Sequence, residues 1–293
     1  MIMLMDYIFI YVILSLFLLG LCLGSFSAAT VWRLRARQLV IDKADGEKID
    51  EIEYKSLKPL SKINIKSDYS RCLSCQHRLK WYDLIPLLSW LKTRGKCHYC
   101  NNPIGIMEPI AEIGLALFFV VSFLAWPVDI NSYISALFFV IWLISGVMLA
   151  ILFIYDSRWF LLPNQIVYPL IAIGAFSAFF SILLYKNTDF LSLIGSIVIL
   201  SGIYAVLWKL SNGAWIGFGD VKLGLALALL LGQWQLAFIA LFSANLIGCI
   251  IVIPGLISGK LKRTTHIPFG PLLIAGYFIA GLWGINIIEW YNF

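Results

Sequence analysis

The residues of this 293-residue chain that could do chemistry fall into two patterns. One is a pair of aspartates in apolar surroundings: Asp156 in Ile154-Tyr155-Asp156-Ser157-Arg158, and Asp220 in Gly217-Phe218-Gly219-Asp220-Val221-Lys222. A carboxylate near hydrocarbon is costly, so an ionisable group at the end of an apolar run is a functional candidate. Each also has a plainer role, since Asp156 can pair with Arg158 and Asp220 can cap the helix that follows it. The other pattern is Cys72-x-x-Cys75 and Cys97-x-x-Cys100, separated by 21 residues. Each pair offers two thiolates from one tight turn, the spacing of a tetrahedral zinc site, with two disulfides as the competing reading.

If the two aspartates meet, they cannot both ionise easily, and one is expected to keep a proton while the other acts as base. Such a pair can activate a water against a peptide carbonyl and protonate the leaving amine, which is aspartic-protease chemistry. Gly217 and Gly219 would let an extended substrate come close, because glycine carries no side chain and accepts positive φ. Glu112, within another apolar run, is a further buried-carboxylate candidate, either structural or serving a second activity and its cofactor. The chain has no H-E-x-x-H, G-x-S-x-G or P-loop pattern to support a different mechanism.

The elements that must position these residues follow from composition. With 61% hydrophobic and 13% charged residues, the chain has too little polar surface for an ordinary globule and is expected in a lipid bilayer. A span needs about 20 apolar residues. The sequence offers such runs at roughly 7–32, 109–126, 131–155, 162–184, 190–209 and 268–289. It also has a 34-residue stretch, 221–254, that would reach about 50 Å as one helix. A break at Gly232-Gln233-Trp234-Gln235 divides this stretch and gives eight spans, the sixth of them short. Cytoplasmic loops carry Lys and Arg, and with the N-terminus outside, eight spans put 21 of the 22 basic residues inside, all but Lys186.

The fold expected is therefore an all-α polytopic membrane protein of about eight helices, in three parts. Residues 1–32 form the first span, 33–108 a small cytoplasmic insert with the four cysteines, and 109–293 a seven-span body carrying both aspartates. Both termini are extracytoplasmic. The reduced cytoplasm favours zinc over disulfides in the insert, and a closed four-thiolate shell makes that zinc structural. His77 and His98 adjoin the cysteines but are not needed as ligands, while Cys22 and Cys249 read as small hydrophobes within spans. The net charge of +6 reports orientation, and no nucleic-acid module is evident.

With these residues in place, the chain resembles the bacterial type IV prepilin peptidases, bifunctional leader peptidase and N-methyltransferase enzymes of the inner membrane. The likeness rests on Gly24-Ser25-Phe26 with Arg33-Leu34, and on the two C-x-x-C pairs flanking Trp81-Tyr82-Asp83-Leu84-Ile85-Pro86-Leu87-Leu88-Ser89-Trp90-Leu91 and Arg94-Gly95. It extends through Asp156 with Leu162-Pro163-Asn164, the G-x-G-D of residues 217–220 with Lys222, and His266-Ile267-Pro268-Phe269-Gly270-Pro271. The resemblance implies that Asp156 and Asp220 are the peptidase pair and that Cys72, Cys75, Cys97 and Cys100 bind zinc. It further implies that the partners are prepilins or pseudopilins, whose new N-terminus is methylated with S-adenosylmethionine. The chain departs from the family pattern at Ser27-Ala28-Ala29-Thr30-Val31, at Leu73 in place of Pro, and at Glu108-Pro109 in place of Tyr-Pro, with Glu112 retained.

Two other classes of function compete with this reading. A transporter would use intramembrane carboxylates, but the chain lacks paired, interrupted helices at matching positions of two halves. A zinc scaffold would leave the G-x-G-D segment idle. The acidic stretch Asp42 to Glu53 is either a solvated connector, the plainer reading, or a means of drawing in a basic leader peptide.

Overall fold

The computed structural model describes residues 2–61, 69–185, 189–260, 262 and 266–291. Lys62, Lys66, Lys186 and Arg263, which entered the loop-charge argument, lie outside them. The described chain is almost wholly helical, and the only β pairing among these residues is two isolated bridges. Among the described residues seven helices are long and apolar enough to cross a membrane, and the expected sixth span is a helix of 14 residues. By its internal contacts the chain divides into two compact units, residues 1–123 and 124–293.

In the first unit, α1 runs from Ile2 to Ala44 without a break. The sequence reading ended the span at Trp32, where the first Arg appears. The hydrophobic run does stop there, but the helix continues, because Arg, Leu and Gln are good helix formers and nothing in 33–41 breaks the turn. Beyond Trp32 the helix becomes a post for the insert: Ala36 and Leu39 are buried against Leu57 of α2 (Glu51–Leu57), and Arg35 pairs with Glu53 at 2.7 Å. After the short α3 (Leu88–Lys92) comes α4 (Met107–Leu124). It crosses α1 so closely that a Cβ on Gly20 would lie 2.5 Å from the Ala116 Cα, and one on Gly24 2.4 Å from the Glu112 Cα. Two glycines four residues apart are what let helix backbones meet in this way.

The second unit holds α5 (Tyr133–Trp159), α6 (Asn164–Tyr185), a continuous helix made of α7 (Phe190–Ile197), a π-helical segment Val198–Gly202 and α8 (Ile203–Ser211), then α9 (Phe218–Leu231), α10 (Trp234–Ile257) and α11 (Phe269–Tyr291). The expected break between the sixth and seventh spans falls at Gly232, in the left-handed conformation (φ 69°) that glycine adopts without strain. The short α9 is the centre of this unit. Leu223, Ala226, Leu227 and Ala228 are fully buried, and α9 packs on α6, α10, α11 and the α7–α8 helix. At the π segment the two backbones nearly touch, with a Cβ on Gly224 placed 1.9 Å from the Leu200 carbonyl oxygen. Ser196 and Ser201 donate to the Ala228 and Val221 carbonyls, each at 3.0 Å, fixing α9 at both ends.

Because the atom opposing Gly224 is backbone, Gly224→Ala is expected to cost about 3 kcal/mol or more, the upper range of overpacking. Gly114→Ala, where nothing lies within 4 Å, should leave stability unchanged or slightly raised. Thermal unfolding of the two variants in detergent checks the contrast, and equal midpoints would contradict the packing described.

Candidate functional site

Asp156 lies in the last turn of α5, and its backbone carbonyl accepts from the Phe160 N–H at 3.0 Å. Phe160 stops the helix in a left-handed conformation (φ 55°), unusual for a bulky residue. The Asp156 side chain is 5% exposed, and its Oδ2 accepts a hydrogen bond from the Gly270 N–H at 3.1 Å, at the start of α11. A Cβ on Gly270 would stand 2.7 Å from the same oxygen, so only glycine allows the contact. Sequence reasoning missed this role for Gly270, although it had singled out the segment His266 to Pro271.

Asp220 is in the first turn of α9. It does not cap the helix in the expected way, because Gly217 occupies the N-cap position. Asp220 instead sits three residues inside, in the first turn, where the free N–H groups of a helix favour an anion. The two aspartates come together within the second unit, near enough for their charges to interact. Gly217 is extended (φ −73°), and Gly219 also lies outside the left-handed region. The freedom of glycine to take positive φ, invoked for both from sequence, is therefore not used. What Gly219 does is admit Leu162, which a Cβ would meet at 3.2 Å. Lys222 hydrogen-bonds Asn164 at the start of α6 and lies over the Tyr168 ring, 5.4 Å from its centroid, tying α9 to α6 next to Asp220. Tyr204, 4% exposed and against Phe269, also lies within range of the Asp220 charge.

The first unit contains the cysteine cluster. Two knuckles share one design: the Cys72 N–H donates to the His77 carbonyl and the Cys97 N–H to the Asn102 carbonyl, and each turn passes through a positive-φ residue, Gln76 (59°) and Asn101 (58°). Gln76 is held in that costly conformation by its side-chain amide, which donates to Ser56 and Leu73 carbonyls. The four sulfurs all lie within 4.8 Å of one another, unbridged, with Cys72 and Cys100 3.9 Å apart. That distance matches the edge of a tetrahedron with Zn–S bonds of about 2.3 Å, which is about 3.8 Å. His77 stacks on Tyr99 at 3.7 Å and His98 meets it edge-on, so both histidines serve the aromatic packing around the cluster. The Tyr99 hydroxyl donates to Asp83 at 3.0 Å, and the neighbouring Tyr82, then burial and the contact with Asp83, push its pKa up.

Glu112 is 6% exposed, and its Oε2 accepts from the Leu87 N–H at 2.8 Å. Leu87 has φ 58° and ψ −47°, and the Leu88 N–H reaches back to the Pro86 carbonyl at 2.6 Å, which together define a strained γ-turn. This carboxylate thus ties α4 to the γ-turn, at the point where Gly24 of α1 meets the Glu112 backbone. Of the acidic stretch, Asp42 accepts from Gln38, Asp50 caps α2, Glu51 pairs with Lys43 and Glu53 with Arg35. Four of its six carboxylates thus already have partners within the chain.

Comparison with known proteins matches these two halves separately. Residues 18–126 match the Bacterial Peptidase A24 N-terminal domain, and residues 137–253 match the Type IV leader peptidase family. The prepilin leader peptidase/N-methyltransferase of Aeromonas hydrophila is 32% identical over 290 residues, covering 94% of this chain and 92% of that protein. Its namesake in Legionella pneumophila is 32% identical over 295 residues, covering 97% and 94%, and that of Pseudomonas aeruginosa is 31% identical over 285 residues, covering 95% and 93%. No solved structure matches the chain. A resemblance first carried by scattered motifs thus extends over nearly the whole length, and the chain belongs to the type IV leader peptidase family.

Proposed function

We propose that this chain is a membrane-embedded aspartic endopeptidase that removes the basic leader from prepilins or pseudopilins and then methylates the N-terminus it has exposed. The observation that carries the peptidase reading is the meeting of Asp156 and Asp220, a buried and a half-buried carboxyl group in apolar helices, with interacting charges. One carboxylate takes a proton from water as the oxygen attacks the scissile carbonyl, and the protonated partner donates to the carbonyl oxygen and then to the leaving amine. The pair holds its proton jointly, so either aspartate can begin as the base. The Gly270 N–H fixes the rotamer of Asp156, and Asp220 stands in the first turn of α9. The Asp156 carboxyl group is therefore set before substrate arrives.

Loop charge supports an orientation with the cysteine insert on the cytoplasmic side of the inner membrane and both termini outside. In that compartment Cys72, Cys75, Cys97 and Cys100 stay reduced and bind one zinc ion, whose four thiolate bonds hold the knuckles together and leave no position for substrate. The methyl group comes from S-adenosylmethionine, which supplies an electrophilic methyl on a sulfonium sulfur, as the methyltransferase names of the relatives support. Nucleic acid has no part in this reading.

Asp156→Asn and Asp220→Asn are each expected to abolish leader removal while the chain still inserts, read from the mass of a co-expressed prepilin. Near-normal cleavage by either variant would exclude that residue from catalysis. Gly270→Ala, which drives a methyl group against Asp156, should lower kcat about 100-fold with little change in KM, as expected when a catalytic group is displaced by an ångström or so. A KM effect alone would mean that Gly270 serves substrate binding. Metal analysis of the purified chain is expected to find one zinc, and Cys97→Ser should lose it and lower the unfolding temperature. A chain without metal, or with two disulfides, would end the zinc reading.

A further inference from the structure

Segment 80–94 of the cysteine insert turns its apolar side chains outward. Leu88 and Leu91 lie one turn apart on one face of α3 and are 63% and 62% exposed, and Trp81, seven residues before Leu88, is 77% exposed. An insert surrounded by water would leave few such residues uncovered, and a cluster of them marks a surface that meets something else. Lys80, Lys92 and Arg94 flank these residues and are also exposed. Asp83, the one acidic residue of the segment, is held by the insert itself: its Oδ2 accepts from the Tyr99 hydroxyl at 3.0 Å and from the Lys80 N–H at 3.1 Å. The exposed surface of the segment is thus apolar, with positive charge beside it.

The depth of this segment follows from α4. At 18 residues α4 is about 27 Å long, and a hydrocarbon core is about 30 Å thick, so the whole helix is needed to cross it and Met107 stands at the membrane surface. Glu112 is then about 8 Å inside. Its Oε2 accepts from the Leu87 N–H at 2.8 Å, and a Glu side chain with one hydrogen bond is too short to carry the Leu87 backbone much above the level of Met107. The Trp90 N–H donates to the Gly105 carbonyl at 3.2 Å, tying α3 a second time to the chain at the start of α4. Below this point the outward face of α4 continues in Ile110, Ile113 and Leu117, all exposed and spaced as one helix face.

We propose that the insert seats α3 and Trp81 in the headgroup layer of the bilayer that α4 crosses, with Trp81, Leu88 and Leu91 against the upper acyl chains and Lys80, Lys92 and Arg94 against anionic headgroups. An amphipathic segment of this kind buries its apolar side about 5–10 Å into the boundary between headgroups and acyl chains. Trp favours that layer, because its ring is apolar and its N–H polar. Basic side chains beside it are drawn to anionic lipid. The seat is independent of the peptidase and methyl-transfer readings. Because the two cysteine knuckles flank this segment in the chain, it also holds the cysteine cluster at the membrane surface.

The test uses the full chain at one copy per nanodisc of phosphatidylethanolamine and phosphatidylglycerol. A fluorescent amino acid replaces Leu88 or Leu91, with Leu117 as the lipid-facing reference and Glu47 as the aqueous one. Glu47 is exposed just past the end of α1, and residues 33–44 of that helix extend about 18 Å beyond Trp32, whose indole meets Glu108 at the membrane surface. Two quenchers are read, a nitroxide on the lipid acyl chain and acrylamide in the water. Labels at 88 and 91 are expected to lose fluorescence to the lipid nitroxide, as the label at 117 does, and to be shielded from acrylamide, while the label at 47 shows the reverse. Discs lacking phosphatidylglycerol should weaken the lipid quenching at both positions, and unchanged quenching there would remove the role given to the cations. An unaltered unfolding temperature shows that each labelled chain is folded, and Trp81 supplies a third position should a leucine not tolerate the label. Acrylamide quenching at 88 and 91 as strong as at 47 would overturn the seat. Shielding from both quenchers would mean that protein covers this face, and would overturn it as well.

Discussion

The close approach of Gly224 to the Leu200 carbonyl sets the position of everything around Asp220. α9 carries Asp220 in its first turn, and at 14 residues it covers only about 20 Å, too little to cross a bilayer and be anchored at both faces. Its depth must be set by its neighbours. The π segment of the preceding helix supplies the means: the wider turn presents the Leu200 carbonyl and the Ser201 hydroxyl to α9, and glycine at 224 lets the backbones close on each other. π-bulges recur at functional sites because they redirect backbone groups in this way. The buried, small-residue face of α9 and the Lys222 bond to Asn164 then fix its rotation.

The second aspartate is constrained by other means. Asp156 is held at the end of a long helix that stops abruptly at Phe160, and its side chain is held from 114 residues away by the Gly270 N–H. The backbone of α11 thus contributes to the site a donor that no side-chain motif encodes. An ionisable group in an apolar region needs its hydrogen bonds supplied by the protein, because neither water nor lipid will supply them reliably. The backbone N–H of Gly270, at the start of α11, meets that need for Asp156 without adding a charge, and Asp220 stands in the first turn of α9, where the free N–H groups of a helix favour an anion.

What the sequence revealed and what it hid follow the range of the forces involved. The spans, the break at Gly232 and the cysteine knuckles are local: apolar length, a left-handed glycine and ligand spacing can all be read within a few residues. The continuation of α1 to Ala44 was hidden because charge marks the end of a hydrophobic run, while helix propensity is indifferent to it. The π segment lies in Val198-Ile199-Leu200-Ser201-Gly202, an apolar run with no distinguishing residue. Gly270 could have been found only by asking why a Gly stands between Phe269 and Pro271 at the start of a helix. That question has an answer only once Asp156 is seen beside it.

Glu112 shows the same limit in a different form. From sequence it was a buried carboxylate in search of a role, with a cofactor among the options, because a charge in an apolar helix suggests chemistry. In the structure it accepts from the Leu87 N–H, holding a γ-turn that would not persist alone. Gly24 makes this possible, since only without a side chain there can α1 approach the Glu112 backbone. The turn in turn fixes the start of α3. Glu108, one helical turn earlier, accepts from the Trp32 indole N–H. The buried charge that first attracts notice from sequence is therefore a structural one, matched to a backbone donor. Which partners a buried carboxylate has, and not burial alone, decides whether it is scaffold.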